Sequence, residues 1–160
     1  MDMIGSFTIA ADRATVWAAL NDPKVLGICI PGTQEISGMP QDGCEAVVVQ
    51  KVGPVTAKFK GKVHAENVVE GVSYTLVGEG SGGVAGFAKG SADVALADVE
   101  AGTELTYTVN AKVGGKLAAL GSRVIDGFAK KMADQFFENL RNAVEPPSEE
   151  DSVEEDAPAT

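Results

Sequence analysis

The residues of this 160-residue chain with types suited to chemistry are few and scattered. His64 is the single histidine, and Cys29 and Cys44 are the two cysteines. Tetrahedral zinc needs four ligands and an iron–sulfur cluster needs four thiolates, so these three side chains complete neither alone. Free cysteine usually packs as a small hydrophobe, so buried structural thiols are expected. A reducing cytosol argues against a disulfide between them. His64 sits in strand register with Lys58, Lys60 and Lys62, and is read as a solvated surface histidine. The three lysines form a basic ridge that discourages edge pairing, or that docks an acidic partner or anionic headgroups.

The run from Gly78 to Gly90 is rich in glycine. A phosphate cradle would require a strand–loop–helix context. Here the loop joins two strands, so it reads instead as a hairpin tip carrying Val84 and Phe87 as apolar contacts. Such a tip could gate a cavity or touch a membrane. The apolar run Val25 to Ile30 reads as core packing, with a cavity mouth or a membrane-touching helix as the alternative.

These side chains are positioned by a simple succession of elements. Residues 2–10 alternate as a strand, with Phe7 and Ile9 on one face. Asp12 is placed to cap a short helix through Leu20. Asp22, followed by Pro23, caps a second that ends before Pro31-Gly32. Strand patterns then recur near 33–39, 43–52, 54–67, 73–80, 87–98 and 103–113, separated by short turns typical of an antiparallel meander. Residues 113–144 read as one long amphipathic helix, with Leu117, Leu120, Val124, Ile125, Phe128 and Met132 on its apolar stripe. The predicted class is α+β: a bent seven-stranded antiparallel sheet gripping a C-terminal helix, with two short helices after the first strand.

Charge divides the chain into a folded domain, 1–144, and an acidic tail, 145–160, expected to be disordered. Net charge is −10, yet seven of the 23 acids lie from Glu145 onward, with no base among them. The remaining 16 acids against 13 bases give no electrostatic support for nucleic-acid binding. No apolar run approaches the ~18 residues of a membrane span. Met1-Asp2-Met3 lacks the basic and apolar regions of a secretory signal, so a cytoplasmic protein is expected, on the inner face of the membrane if it meets one.

Strand alternation also yields an inventory of what faces the helix. Val55, Ala57, Phe59, Gly61, Val63 and Ala65 share one face, as do Leu105, Tyr107, Val109, Ala111 and Val113. Ala88, Gly90, Ala92, Val94 and Leu96 form a third inward set, with Tyr74 and Leu76 from a fourth strand. Cys44, Ala46, Val48 and Gln50 complete it less clearly. No acid, lysine, arginine or histidine points inward. General acid–base work needs a positioned titratable group, and nucleophilic catalysis needs a nucleophile beside a base. Neither is visible, so an enzyme is not expected. Small inward residues facing a helix fit either close packing or a cavity. An apolar cavity with a few hydrogen-bonding groups is the signature of a site for an apolar ligand. Phe59, Tyr74, Tyr107, Leu117, Leu120, Val124 and Phe128 are the expected lining, with Tyr74 and Tyr107 available to a ligand oxygen.

Several stretches together resemble one family. They are Asp22-Pro23 through Cys29-Ile30-Pro31-Gly32, Lys51-Val52-Gly53-Pro54-Val55, Phe59-Lys60-Gly61, Gly83 to Ala88, and Val113 to Gly121 through Ile125-Asp126-Gly127. Ile9 to Asp22 is similar to the opening of START-like helix-grip proteins. In order over 1–144, the set resembles the G-subunit family of carbon monoxide dehydrogenase. The resemblance implies a helix-grip fold with an internal hydrophobic cavity. It implies an accessory role beside a molybdenum-containing dehydrogenase of the carbon monoxide dehydrogenase type, linking it to the membrane quinone pool. The expected ligand is lipophilic, menaquinone or another quinone. The second reading is a ligand-free assembly factor or membrane-recruitment adaptor for the same class of dehydrogenase. Many members carry an apolar C-terminal extension, whereas this chain continues after Val144 with acids, so transient membrane contact is expected rather than an anchor.

Overall fold

The computed structural model describes residues 1–145. Most of the acidic tail expected from the sequence, 146–160, lies outside the described residues.

Alternating apolar and polar residues produce seven strands: β1 (Asp2–Ile9), β2 (Thr33–Met39), β3 (Gly43–Val52), β4 (Val55–Val69), β5 (Ser73–Ser81), β6 (Phe87–Val99) and β7 (Gly102–Gly114). They pair antiparallel in one sheet, in the order β1-β7-β6-β5-β4-β3-β2. Consecutive strands from β2 to β7 are neighbours, as short turns require. β1 joins the far edge beside β7 because α1 (Arg13–Leu20) and α2 (Pro23–Cys29) carry the chain across to β2.

Both short helices begin where the sequence signals them. The Asp12 carboxylate accepts a hydrogen bond from the Thr15 amide at 2.8 Å, and the Thr15 hydroxyl, followed by that amide, holds its pKa below the usual value. The Asp22 carboxylate accepts from the Lys24 amide at 2.9 Å, with Pro23 at the first helical position. Of the apolar run 25–30, Cys29 is fully buried while Ile28 points outward.

One expectation is corrected. Residues 113–144 are not a single helix. β7 continues through Gly114, a single helical turn follows as α3 (Lys116–Ala119), and α4 runs from Ser122 to Val144. Gly115 and Gly121 separate these pieces with φ of 71° and 92°, left-handed conformations that a helix cannot contain and that glycine adopts without steric cost. A periodicity count detects the shared apolar face of α3 and α4 but not the change in direction between them.

α4 lies across the sheet and approaches it mainly at β1 and β3, near its two sides, and otherwise rests on α1 and α2. Large side chains bridge the gap near the helix C-terminus. Phe137 stacks on Phe7 at 4.7 Å and on Tyr107 at 5.2 Å, and Leu140 is fully buried. Each aromatic pair contributes about 0.5–1.5 kcal/mol beyond area burial. Glu145 ties down the end of the helix, accepting from the Ala10 amide at 2.9 Å and pairing with Arg141.

Candidate functional site

The register shows what the inventory of inward residues could not. Cys44, Val63, Gly78, Gly90 and Ala111 lie opposite one another across five strands. The next inward row is Ala46, Gly61, Gly80, Ala88 and Val113. Two adjacent rows of mostly small side chains therefore floor one half of the sheet, on the side facing α4. These residues, apart from Cys44, are only partly buried. A close-packed interior would bury them fully, because native cores leave few voids. A β-carbon at Gly61 or Gly80 would meet its nearest neighbours at 3.5 Å or more, which is ordinary contact. Gly90 differs: a β-carbon there would overlap the Asn110 carbonyl, so its size is set by backbone approach.

Two apolar clusters bound this floor. At one end, Val52, Leu117 and Ile125 are buried together, with Phe59, Val113, Leu120 and Phe128 packed against them. At the other end lies the main core, which includes Tyr74, Val94, Leu105, Tyr107 and Phe137. The seven expected lining residues are thus divided. Phe59, Leu117, Leu120 and Phe128 share the first cluster, and Tyr74 and Tyr107 belong to the second. Val124 is 37% exposed and lies beside Gly53, at the margin.

The two tyrosines sit in different surroundings. Tyr74 is buried edge-on against Trp17, ring centroids 5.2 Å apart, and burial alone pushes its pKa well up. Tyr107 crosses over Gly5 to the edge of the sheet. There it joins Asp126, Lys130 and Asp134 in lining a cleft of about 390 Å³ between β1 and α4. Its pKa is raised first by burial and second by the Asp134 charge, with Lys130 opposing. Gln50, also expected inward, donates to the Pro31 carbonyl and so ties β3 to the end of α2, and the fully buried Thr103 hydroxyl donates to the Ala11 carbonyl at 2.8 Å.

The end of the floor nearest Leu117 is capped by backbone. A 3-10 turn, Gly83–Ala85, carries the chain from β5 to β6 and packs against α3. A β-carbon on Gly115 would come 2.6 Å from the Gly86 Cα, and one on Gly82 would press 2.6 Å from the Phe59 ring. Ala85 and Leu117 are buried in this cap.

The outer sheet face is mostly polar, with Ile4 and Phe87 exposed on it. His64 and Glu66 pair there at 2.7 Å, both half-exposed. A trough of about 530 Å³ is lined by Lys62, Lys89, Lys112, Glu79 and Asn110. Among the described residues, no group of three or more His, Cys, Asp or Glu side chains is placed to hold a metal. No helix among them is long and apolar enough to cross a membrane.

The family model for the G subunit of carbon monoxide dehydrogenase (CoxG) matches residues 5–145. The chain belongs to the CoxG family. No match was found among curated proteins. A conserved protein from Geobacillus kaustophilus is similar in structure, with TM-score 0.84 and 29% identity, covering 90% of this chain and 95% of that one. Proteins from Chromobacterium violaceum (TM-score 0.68, 14% identity, 91% and 98% covered) and Mycobacterium smegmatis (0.64, 16%, 89% and 90%) share the fold. In this CoxG-family chain the helix-grip architecture is therefore the observed one, down to the two helices after β1.

The open floor positions Gly61 and Gly80 and the glycine partner of Tyr107 were not legible as such in the sequence. Alternation assigns each residue to a face, but only the cross-strand register places small residues side by side.

Proposed function

We propose that this protein is a carrier for a lipophilic molecule, a membrane quinone, serving a molybdenum-containing dehydrogenase of the carbon monoxide dehydrogenase type. One observation carries the reading: an in-register floor of glycine and alanine lies beneath a helix that approaches the sheet mainly near its sides. Apolar walls at Phe59, Leu117 and Phe128 suit an isoprenoid chain or a flat ring. Buried Tyr74 offers a hydroxyl at the deep end for a quinone carbonyl. The accessory role comes from the family to which the chain belongs. A quinone accepts two electrons and two protons to become a quinol, so electrons delivered by the dehydrogenase would travel on the ligand. On this reading the protein works by transient membrane contact at the inner face and is not itself a catalyst.

Organic extraction of the purified protein, followed by mass spectrometry, tests the reading. Quinone or another isoprenoid lipid in the extract, or stoichiometric uptake of added menaquinone, is expected. An empty extract together with no uptake rejects it. An adaptor acting without ligand would instead keep both dehydrogenase binding and quinone reduction after the floor is filled.

A further inference from the structure

The β5–β6 turn exposes apolar side chains where a soluble hairpin would carry polar ones. Val84 is 85% exposed and Phe87 47% exposed. Phe87 lies flat over Gly114 on the outer face and shares one concavity with Lys60, Lys62 and Lys89. Lys112 pairs directly with Lys89 on the neighbouring strand. The acids within this region are Glu79, between Lys62 and Lys89, Glu45, opposite Lys62, and Glu35, which shares a hollow with Lys60 and Lys62 toward the β2 edge, away from the tip. Basic charge is thus concentrated around an apolar tip in a chain whose net charge is −10. Glu145, where the acidic segment begins, is bonded to Ala10 at the opposite end of the sheet.

We propose that this turn and its lysines are a docking surface for an anionic lipid bilayer, with Val84 and Phe87 entering the headgroup region. Apolar side chains framed by lysines match a surface that is negative outside and apolar beneath, and each lysine held near such a surface strengthens binding about five-fold. An acidic protein surface would match the lysines but leave Val84 without a role. The proposal rests on the carrier reading for its purpose. Docking here sets the cap formed by 82–86 and α3, which closes one end of the glycine floor, against the bilayer.

Co-sedimentation of the full chain with phosphatidylcholine vesicles, with and without phosphatidylglycerol, provides the test. Binding to the anionic vesicles alone, weakening with salt, is expected. Lys60→Gln with Lys89→Gln should lower affinity roughly 25-fold. Val84→Ser should weaken it further, while Lys131→Gln, on the exposed side of α4, should not. No binding to anionic vesicles, or equal binding by wild type and the double lysine variant, overturns the proposal. Menaquinone uptake from detergent, measured without vesicles, separates the two readings. Failed uptake with the expected vesicle binding rejects the carrier and upholds the docking surface.

Discussion

The ring of Tyr107 lies across Gly5, its partner on the edge strand, so closely that a β-carbon at position 5 would overlap the tyrosine hydroxyl. The missing side chain lets Tyr107 stay flat, stack on Phe137 and hold α4 to the β1 side of the sheet. Gly5→Ala should therefore destabilise the protein although alanine is the better strand residue. A cost of about 2 kcal/mol follows from overpacking, which lowers Tm by roughly 4–8 °C for a domain of this size. A calorimetric scan with unchanged Tm would show that Tyr107 simply swings aside.

Filling the floor separates open space from close approach. Gly80→Leu places its side chain above ordinary contacts, so the variant should fold and lose menaquinone uptake. Gly90→Val drives a side chain into the Asn110 carbonyl and the Ala111 Cα at 2.8 Å, and should cost about 1–3 kcal/mol. Urea denaturation of both variants, beside uptake assays, checks the pair. Full uptake by a folded Gly80→Leu protein would place the ligand elsewhere.

Tyr74 and Tyr107 are the only tyrosines, and burial raises both pKa values. The fold therefore favours the protonated phenols. Their contribution to stability is complete below the unfolded tyrosine pKa of about 10 and is lost as pH rises beyond it. Absorbance at that pH should show less tyrosinate in the native protein than in the unfolded chain, and should rise at higher pH together with unfolding. A native-state titration centred on the ordinary value would contradict the burial of both rings.

The two thiols should be inert in the native state. Burial pushes the Cys29 thiol up to about 11, and burial followed by the Glu45 charge raises that of Cys44. Only the thiolate attacks a disulfide reagent, so neither should react appreciably at mildly alkaline pH until denaturant is added. Rapid labelling of either cysteine in the folded protein would reveal an opening of the sheet edge or of α2.

Local rules settled much of this protein from its sequence. Period-two alternation marked all seven strands, Asp12 and Asp22 marked the helix starts, and the absence of inward charge followed from face assignment alone. Each depends on neighbours only a few residues apart, and so can be read along the chain. Residue order does not record register or direction. Only the folded sheet brings Gly61, Gly80 and Ala88 side by side and sets Tyr107 on Gly5. Only the tertiary path turns the chain at Gly115 and Gly121, splitting an unbroken apolar periodicity into a cap and a spanning helix. The apolar lining was recognisable by residue type. Its division into two clusters with a small-residue floor between them was decided by strand pairing, because contacts between residues far apart in the chain are fixed only when the backbone hydrogen bonds form.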